Sequence, residues 1–145
     1  MTLRRPDLDA IRSADPPTWP QYPFDEAPAI REVSAPSWSI QFEEVMIPVR
    51  DGIRLAADLL RPSAPGRRFP ALIAASPYSR QLQRTNLPSG QNEAGISEFW
   101  VPRGYAHIVV DVRGTNDSEG SWDHMGPDER RDLADVIEWA AGQPW

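Results

Sequence analysis

The chain has 145 residues, a net charge of −6 and no cysteine. It suits one domain; its acidity argues against a nucleic-acid partner, which needs a basic face; disulfide and thiolate chemistry are excluded. No stretch approaches the roughly 18 apolar residues of a membrane span, and no apolar segment of a secretory signal follows the first residues, so a cytoplasmic protein without a membrane partner is expected.

Seven of the sixteen prolines precede residue 40. Proline fixes φ, removes a donor and holds its predecessor extended, so residues 1–40 are read as a Pro-rich N-terminal extension. It is either a leader without fixed structure or an arm whose Trp19, Tyr22, Phe24 and Trp38 anchor on the body or on a neighbouring subunit. The second option leaves a homo-oligomer open.

Residues 41–145 carry the folding pattern. Glu43 to Val49 reads as a strand, and Asp51-Gly52 as a tight hairpin turn that needs φ > 0. Ile53, Leu55, Ala57 and Leu59 then alternate with Arg54, Ala56 and Asp58, the pattern of a half-buried strand. Pro70 to Ala75 is a short continuous apolar run, expected of a strand buried on both faces. A polar loop follows to about Gly95. Ile96, Phe99 and Trp100 have helical spacing, ended by Pro102 and Gly104. Ala106 to Val112 is a second buried strand. Pro127 opens a last helix, with Asp128 and Glu129 at the positive end of its dipole. Leu133, Val136, Ile137, Ala140 and Ala141 give that helix an apolar stripe, and Gly142 and Pro144 end it. Buried strands alternating with helices imply an α/β fold with a parallel sheet and right-handed crossovers.

A serine nucleophile on such a sheet sits in Gly-x-Ser-x-Gly at a strand-to-helix turn, and residues 1–145 hold no such sequence. Ser118, in Asn116-Asp117-Ser118-Glu119-Gly120, reads as a turn serine. His107 lies in an apolar strand and His124 in a loop, and the sequence gives neither a partner. Asp111, Asp117, Asp123 and His124 do not have a recognised ligand spacing, so no metal is expected. A Gly-rich dinucleotide fingerprint is missing too, so no cofactor is expected.

What remains is Pro77-Tyr78 after one buried strand and Asp111-Val112-Arg113-Gly114 after the other. Both stand at carboxyl ends of parallel strands, where ligands bind in open α/β sheets. Here the chain resembles the CocE/NonD hydrolases, a group that includes cocaine esterase and the X-prolyl dipeptidyl peptidases. The matching pieces are Val49 to Asp58, Ser76-Pro77-Tyr78, Arg103-Gly104-Tyr105, Asp111 through Gly120, and Glu138-Trp139 through Gln143-Pro144-Trp145. The resemblance implies an α/β-hydrolase sheet in which the strand at 106–112 lies between the second hairpin strand and the strand at 70–75. It implies a serine hydrolase that cleaves a small-molecule ester, amide or peptide through an acyl-serine intermediate. Tyr78 would donate its phenol to the oxyanion, and Asp111, Arg113 and Ser118 would support the loops beside the pocket. In that family the nucleophile elbow comes one strand after the segment matching Gln143-Pro144-Trp145. The expectation is therefore a partial sheet, an N-terminal portion truncated before the elbow, with the serine, acid and histidine of the triad elsewhere. The alternative is a non-catalytic fragment or pseudo-enzyme.

Overall fold

The computed structural model describes residues 32–85 and 93–145. The chain divides into two units, Met1–Val33 and Ser34–Trp145; the second carries the fold. Trp19, Tyr22 and Phe24 lie outside the described residues. Trp38 lies within them. Its ring meets Phe69 edge-on at 5.7 Å, with the Arg67 guanidinium 4.9 Å above it. The N–H groups of Ser37 and Trp38 both donate to the Pro102 carbonyl.

Four strands form one sheet in the order β1-β2-β4-β3. They are β1 (Ile40–Pro48), β2 (Arg54–Pro62), β3 (Ala71–Ser76) and β4 (Ala106–Asp111). β2 pairs antiparallel with β1 and with β4, while β3 and β4 run parallel. This is the strand order that the family resemblance implies. β1 begins at Ile40, ahead of the expected start at Glu43, because Ile40 to Phe42 pair with Leu60 to Pro62. The hairpin closes through a three-residue loop instead of a tight primed turn: Val49 N–H bonds to Ile53 O at 2.9 Å, and Gly52 takes φ +85°. A single left-handed glycine at the end of such a loop is the next commonest hairpin solution.

Three helices complete the unit: α1 (Arg80–Gln83), α2 (Ser97–Trp100) and α3 (Pro127–Ala141). A 3₁₀ turn at Val101–Arg103 extends α2 and stops at Gly104, φ +93°. α1 falls within the segment read as a polar loop. Its start was legible in Ser79, whose hydroxyl accepts from Gln81 N–H as an N-cap.

The core lies between the sheet and α3, where Ile47, Leu55, Ala57, Leu59, Ile108 and Val110 cluster with Val136 and Ala140. Three burial expectations change. β2 is buried on both faces, since Ala56 and Asp58 are as enclosed as Leu55 and Leu59; it is an interior strand, and α1 closes over Asp58 through Arg80. β3 is only part-buried because it forms the sheet edge. Along that edge runs a groove of about 440 Å³ lined by Phe69, Ile73, Ile137 and Trp145. On α3 the inward row is Asp132, Val136 and Ala140, while Leu133 and Ile137 stay exposed. Asp132 has turned the helix towards its arginine partners, described below. Among the described residues no helix is long and apolar enough to cross a membrane.

Candidate functional site

Strands β3 and β4 are parallel, so Ser76 and Asp111 end side by side in register. The chain leaving β3 is held at each turn. Ser76 Oγ accepts from Tyr78 N–H at 3.1 Å and bonds Glu93 Oε2 at 2.8 Å. Pro77 O accepts from Asn116 Nδ2 at 3.1 Å, and Tyr78 O from Gln83 Nε2 at 2.9 Å. The Tyr78 side is open by contrast. The residue is 39% exposed, and among the described residues its phenol makes no hydrogen bond.

Asp111 closes the other strand end and is fully buried. Its Oδ1 accepts from Arg80 N–H at 2.9 Å and from Asn116 Nδ2 at 3.3 Å. Its Oδ2 lies 3.2 Å from Arg80 Nε, close enough for an ion pair but without hydrogen-bond alignment. Burial raises the Asp111 carboxyl above the ordinary aspartate range, and the neighbouring Arg80 only partly opposes this. Arg80 is a hub. Its guanidinium also meets Asp58 Oδ1 at 2.7 Å, Glu44 Oε1 at 3.0 Å and Asp117 Oδ2 at 2.7 Å. Arg84 binds Asp58 and Glu44 as well and lies 4.8 Å above the Phe42 ring. Sequence reasoning missed this cluster. Its signal was Asp58, a charge placed between apolar residues of a strand, which needs a buried cation.

Arg113 and Ser118 bond to elements other than the Tyr78 turn. Arg113 grips Asp132 of α3 with Nε and Nη2 at 2.8 and 2.7 Å, and Asp51 of the hairpin with Nη1 at 2.7 Å. Such a planar fork fixes both partners in orientation. Arg50 adds a bond to Asp132 at 2.8 Å. Ser118 Oγ donates to Asp111 O at 2.6 Å and accepts from Ala56 N–H at 2.9 Å, so it staples the loop to β2. Gly114 allows the loop to fold on itself, since a Cβ there would lie 2.2 Å from Trp122 N. The Asn116 amide thus links the peptide before Tyr78 to the Asp111 carboxyl, and Arg113 and Ser118 brace the same loop.

His107 lies in β4, between two strands, with its Nδ1 2.8 Å from Ser97 Oγ. Burial lowers its pKa, so the ring is neutral. The pair sits four residues before Asp111, roughly 13 Å along the strand, and belongs to the opposite end of the sheet. The His124 ring meets the Trp122 ring edge-on at 5.5 Å. A cavity of about 280 Å³ lies over β1, β2 and β4, lined by Phe42, Asp58, Arg80, Gln83, Arg84 and Ser97 among others. Tyr78 does not line it, but Arg80 and Gln83, which hold Asp111 and the Tyr78 carbonyl, do, so the cavity adjoins the strand-end site. Among the described residues no group of three or more His, Asp or Glu side chains has the arrangement of a metal site.

The chain is 38% identical over 108 residues to cocaine esterase from Rhodococcus sp. (strain MB1 Bresler), covering 70% of this chain and 17% of that protein. It is 32% identical over 103 residues to a putative Xaa-Pro dipeptidyl-peptidase from Streptomyces avermitilis, covering 62% and 15%. The chain therefore spans about a sixth of the length of these relatives. Among solved structures, a CocE/NonD family hydrolase from Staphylococcus aureus superposes with a TM-score of 0.61 at 28% identity, over 73% of this chain and 21% of that one. An α-amino acid ester hydrolase gives 0.53 at 27%, over 86% and 22%. The partial sheet is thus that of an α/β hydrolase. The family model for the X-Pro dipeptidyl-peptidases matches residues 51–145, a span that begins in the hairpin turn and includes both strand ends. From the strand order to the loop that Arg113 braces, the chain belongs to the X-Pro dipeptidyl-peptidase (S15) family.

Proposed function

We propose that this segment supplies the oxyanion side of a serine hydrolase that cleaves ester or amide bonds through an acyl-serine intermediate. The observation that carries the proposal is Tyr78. Its main chain is fixed by three side chains, yet the residue is exposed at the carboxyl end of a parallel strand and its phenol makes no bond among the described residues. A neutral phenol donates a hydrogen bond, and a preorganised donor stabilises charge that develops only in the transition state. In this reading Asp111, Arg113 and Ser118 hold the loop beside the pocket. The relatives' names span an ester and an X-prolyl peptide, and the acyl chemistry is common to both.

The nucleophile and its two partners are assigned to sequence outside residues 1–145, which hold no Gly-x-Ser-x-Gly. The second reading is a chain without catalysis. Reading the coding sequence past codon 145 separates the two: an in-frame Gly-x-Ser-x-Gly elbow supports the hydrolase, and a stop codon supports the non-catalytic chain. On the complete hydrolase, Tyr78→Phe removes one donor and keeps the ring. It is expected to lower kcat on an activated ester by about 100- to 1000-fold, with KM and melting temperature roughly level. A fall below about threefold with unchanged melting removes Tyr78 from the mechanism.

A further inference from the structure

We propose that Gln83 is a positioning residue for Tyr78, acting with Asn116 to fix the direction of its phenol. The proposal rests on the oxyanion role assigned to Tyr78. An exposed ring gains little orientation from packing, so its direction depends on the main chain that carries it. The two peptide groups that flank the Tyr78 Cα are both bonded. In the first, Pro77 O accepts from Asn116 and Tyr78 N–H donates to Ser76 Oγ. In the second, Tyr78 O accepts from Gln83 Nε2 at 2.9 Å.

Gln83 is the stronger clamp. It is 6% exposed, and both ends of its amide are used. While Nε2 donates to Tyr78 O, Oε1 accepts from Ala94 N–H at 2.8 Å. A flipped amide would set donor against donor and acceptor against acceptor, so the orientation is unique. The side chain thus bridges the Tyr78 turn to the segment before α2. Asn116 holds the other peptide from the β4 loop, in a left-handed backbone conformation, φ +48°, that a non-glycine residue adopts at some cost. Neither residue needs to touch substrate to act.

The test is Gln83→Glu on the complete hydrolase. The variant carboxyl has the same shape and still accepts from Ala94 N–H. Ionised, it sets an oxygen against Tyr78 O; protonated, it restores a donor there. At pH 8 the expected loss in kcat is about ten- to hundredfold, with KM within about twofold. Burial keeps the new carboxyl protonated above its ordinary range, so kcat should recover as pH falls, with an inflection absent from the wild type. Asp58, Arg80, Arg84 and Glu98 share the cavity that Gln83 lines, and Glu93 and His107 lie on the segment and strand beside it. All six are common to both proteins, so only the difference between the profiles counts.

The loss should also vanish when Gln83→Glu is made in a Tyr78→Phe background, because the clamp then has nothing to aim. An equal loss in both backgrounds, or none at pH 8 while Tyr78→Phe alone is severe, overturns the positioning role and leaves the oxyanion role standing. A silent Tyr78→Phe overturns both. Should Gln83→Glu fail to fold, Asn116→Ala carries the same cycle against Tyr78→Phe, with the same two outcomes.

Discussion

Arg80→Met on the complete protein tests whether the buried charge cluster holds the strand ends. The substitution keeps most of the side-chain length and the main-chain N–H bond to Asp111 Oδ1. It deletes the guanidinium that meets Asp58, Glu44, Asp117 and Asp111. Asp58 and Glu44 keep Arg84, and Asp117 is largely exposed. The cost therefore falls on Asp111, which is fully buried and loses its paired cation. Breaking a buried pair by removing one partner costs about 3–5 kcal/mol, and the two hydrogen bonds left on Oδ1 argue for the lower end. The pH dependence has a definite sign. Asp111 is already raised above the ordinary aspartate value of 3.8, and loss of Arg80 raises it further. A carboxyl with a raised folded pKa binds more protons folded than unfolded, so it costs stability as pH climbs from that ordinary value through the folded one. The deficit should thus be larger at pH 8 than at pH 5, as read by urea unfolding followed through tryptophan fluorescence. A deficit below about 1 kcal/mol, or one equal at both pH values, would refute the reasoning.

Three further outcomes are expected. Gly114→Ala places a Cβ 2.2 Å from Trp122 N at φ +70°, so the loop must move; a loss of about 3 kcal/mol or more is expected, and a melting temperature within one degree of wild type would contradict the close approach. Glu119→Ala removes a pair with Arg54 whose side chains are 38% and 56% exposed; it should cost under about 1 kcal/mol, and a larger loss in the same urea titration would show that the pair is not merely a surface one. A polypeptide of residues 1–145 should not be labelled by a fluorophosphonate at any serine. Ser118 Oγ is spent on Asp111 O and Ala56 N–H, and Ser97 on a buried His107; a stoichiometric adduct mapped by mass spectrometry to either serine would sink that expectation.

Local chemistry made the element order legible. Gly52 in the hairpin, the apolar runs at 70–75 and 106–112 and Pro127 at the head of α3 each act within a few residues. The same strand reading placed Tyr78 and Asp111 at strand ends, and the resemblance supplied their roles. What the pattern could not give was burial and partnership. Asp58, read as the outer side of a half-buried strand, is enclosed because α1 brings Arg80, 22 residues further along the chain, onto it through tertiary packing. Leu133 and Ile137, read as core, are exposed because Asp132 turns inward to Arg113 and Arg50. Gln83 and Asn116 carried no signal at all, since an amide shows its role only when two distant main-chain groups arrive at its ends. Hydrophobic periodicity reports which side of an element is apolar. Pairing of charges and amides depends on residues brought together by strand order, and only the tertiary structure decided it.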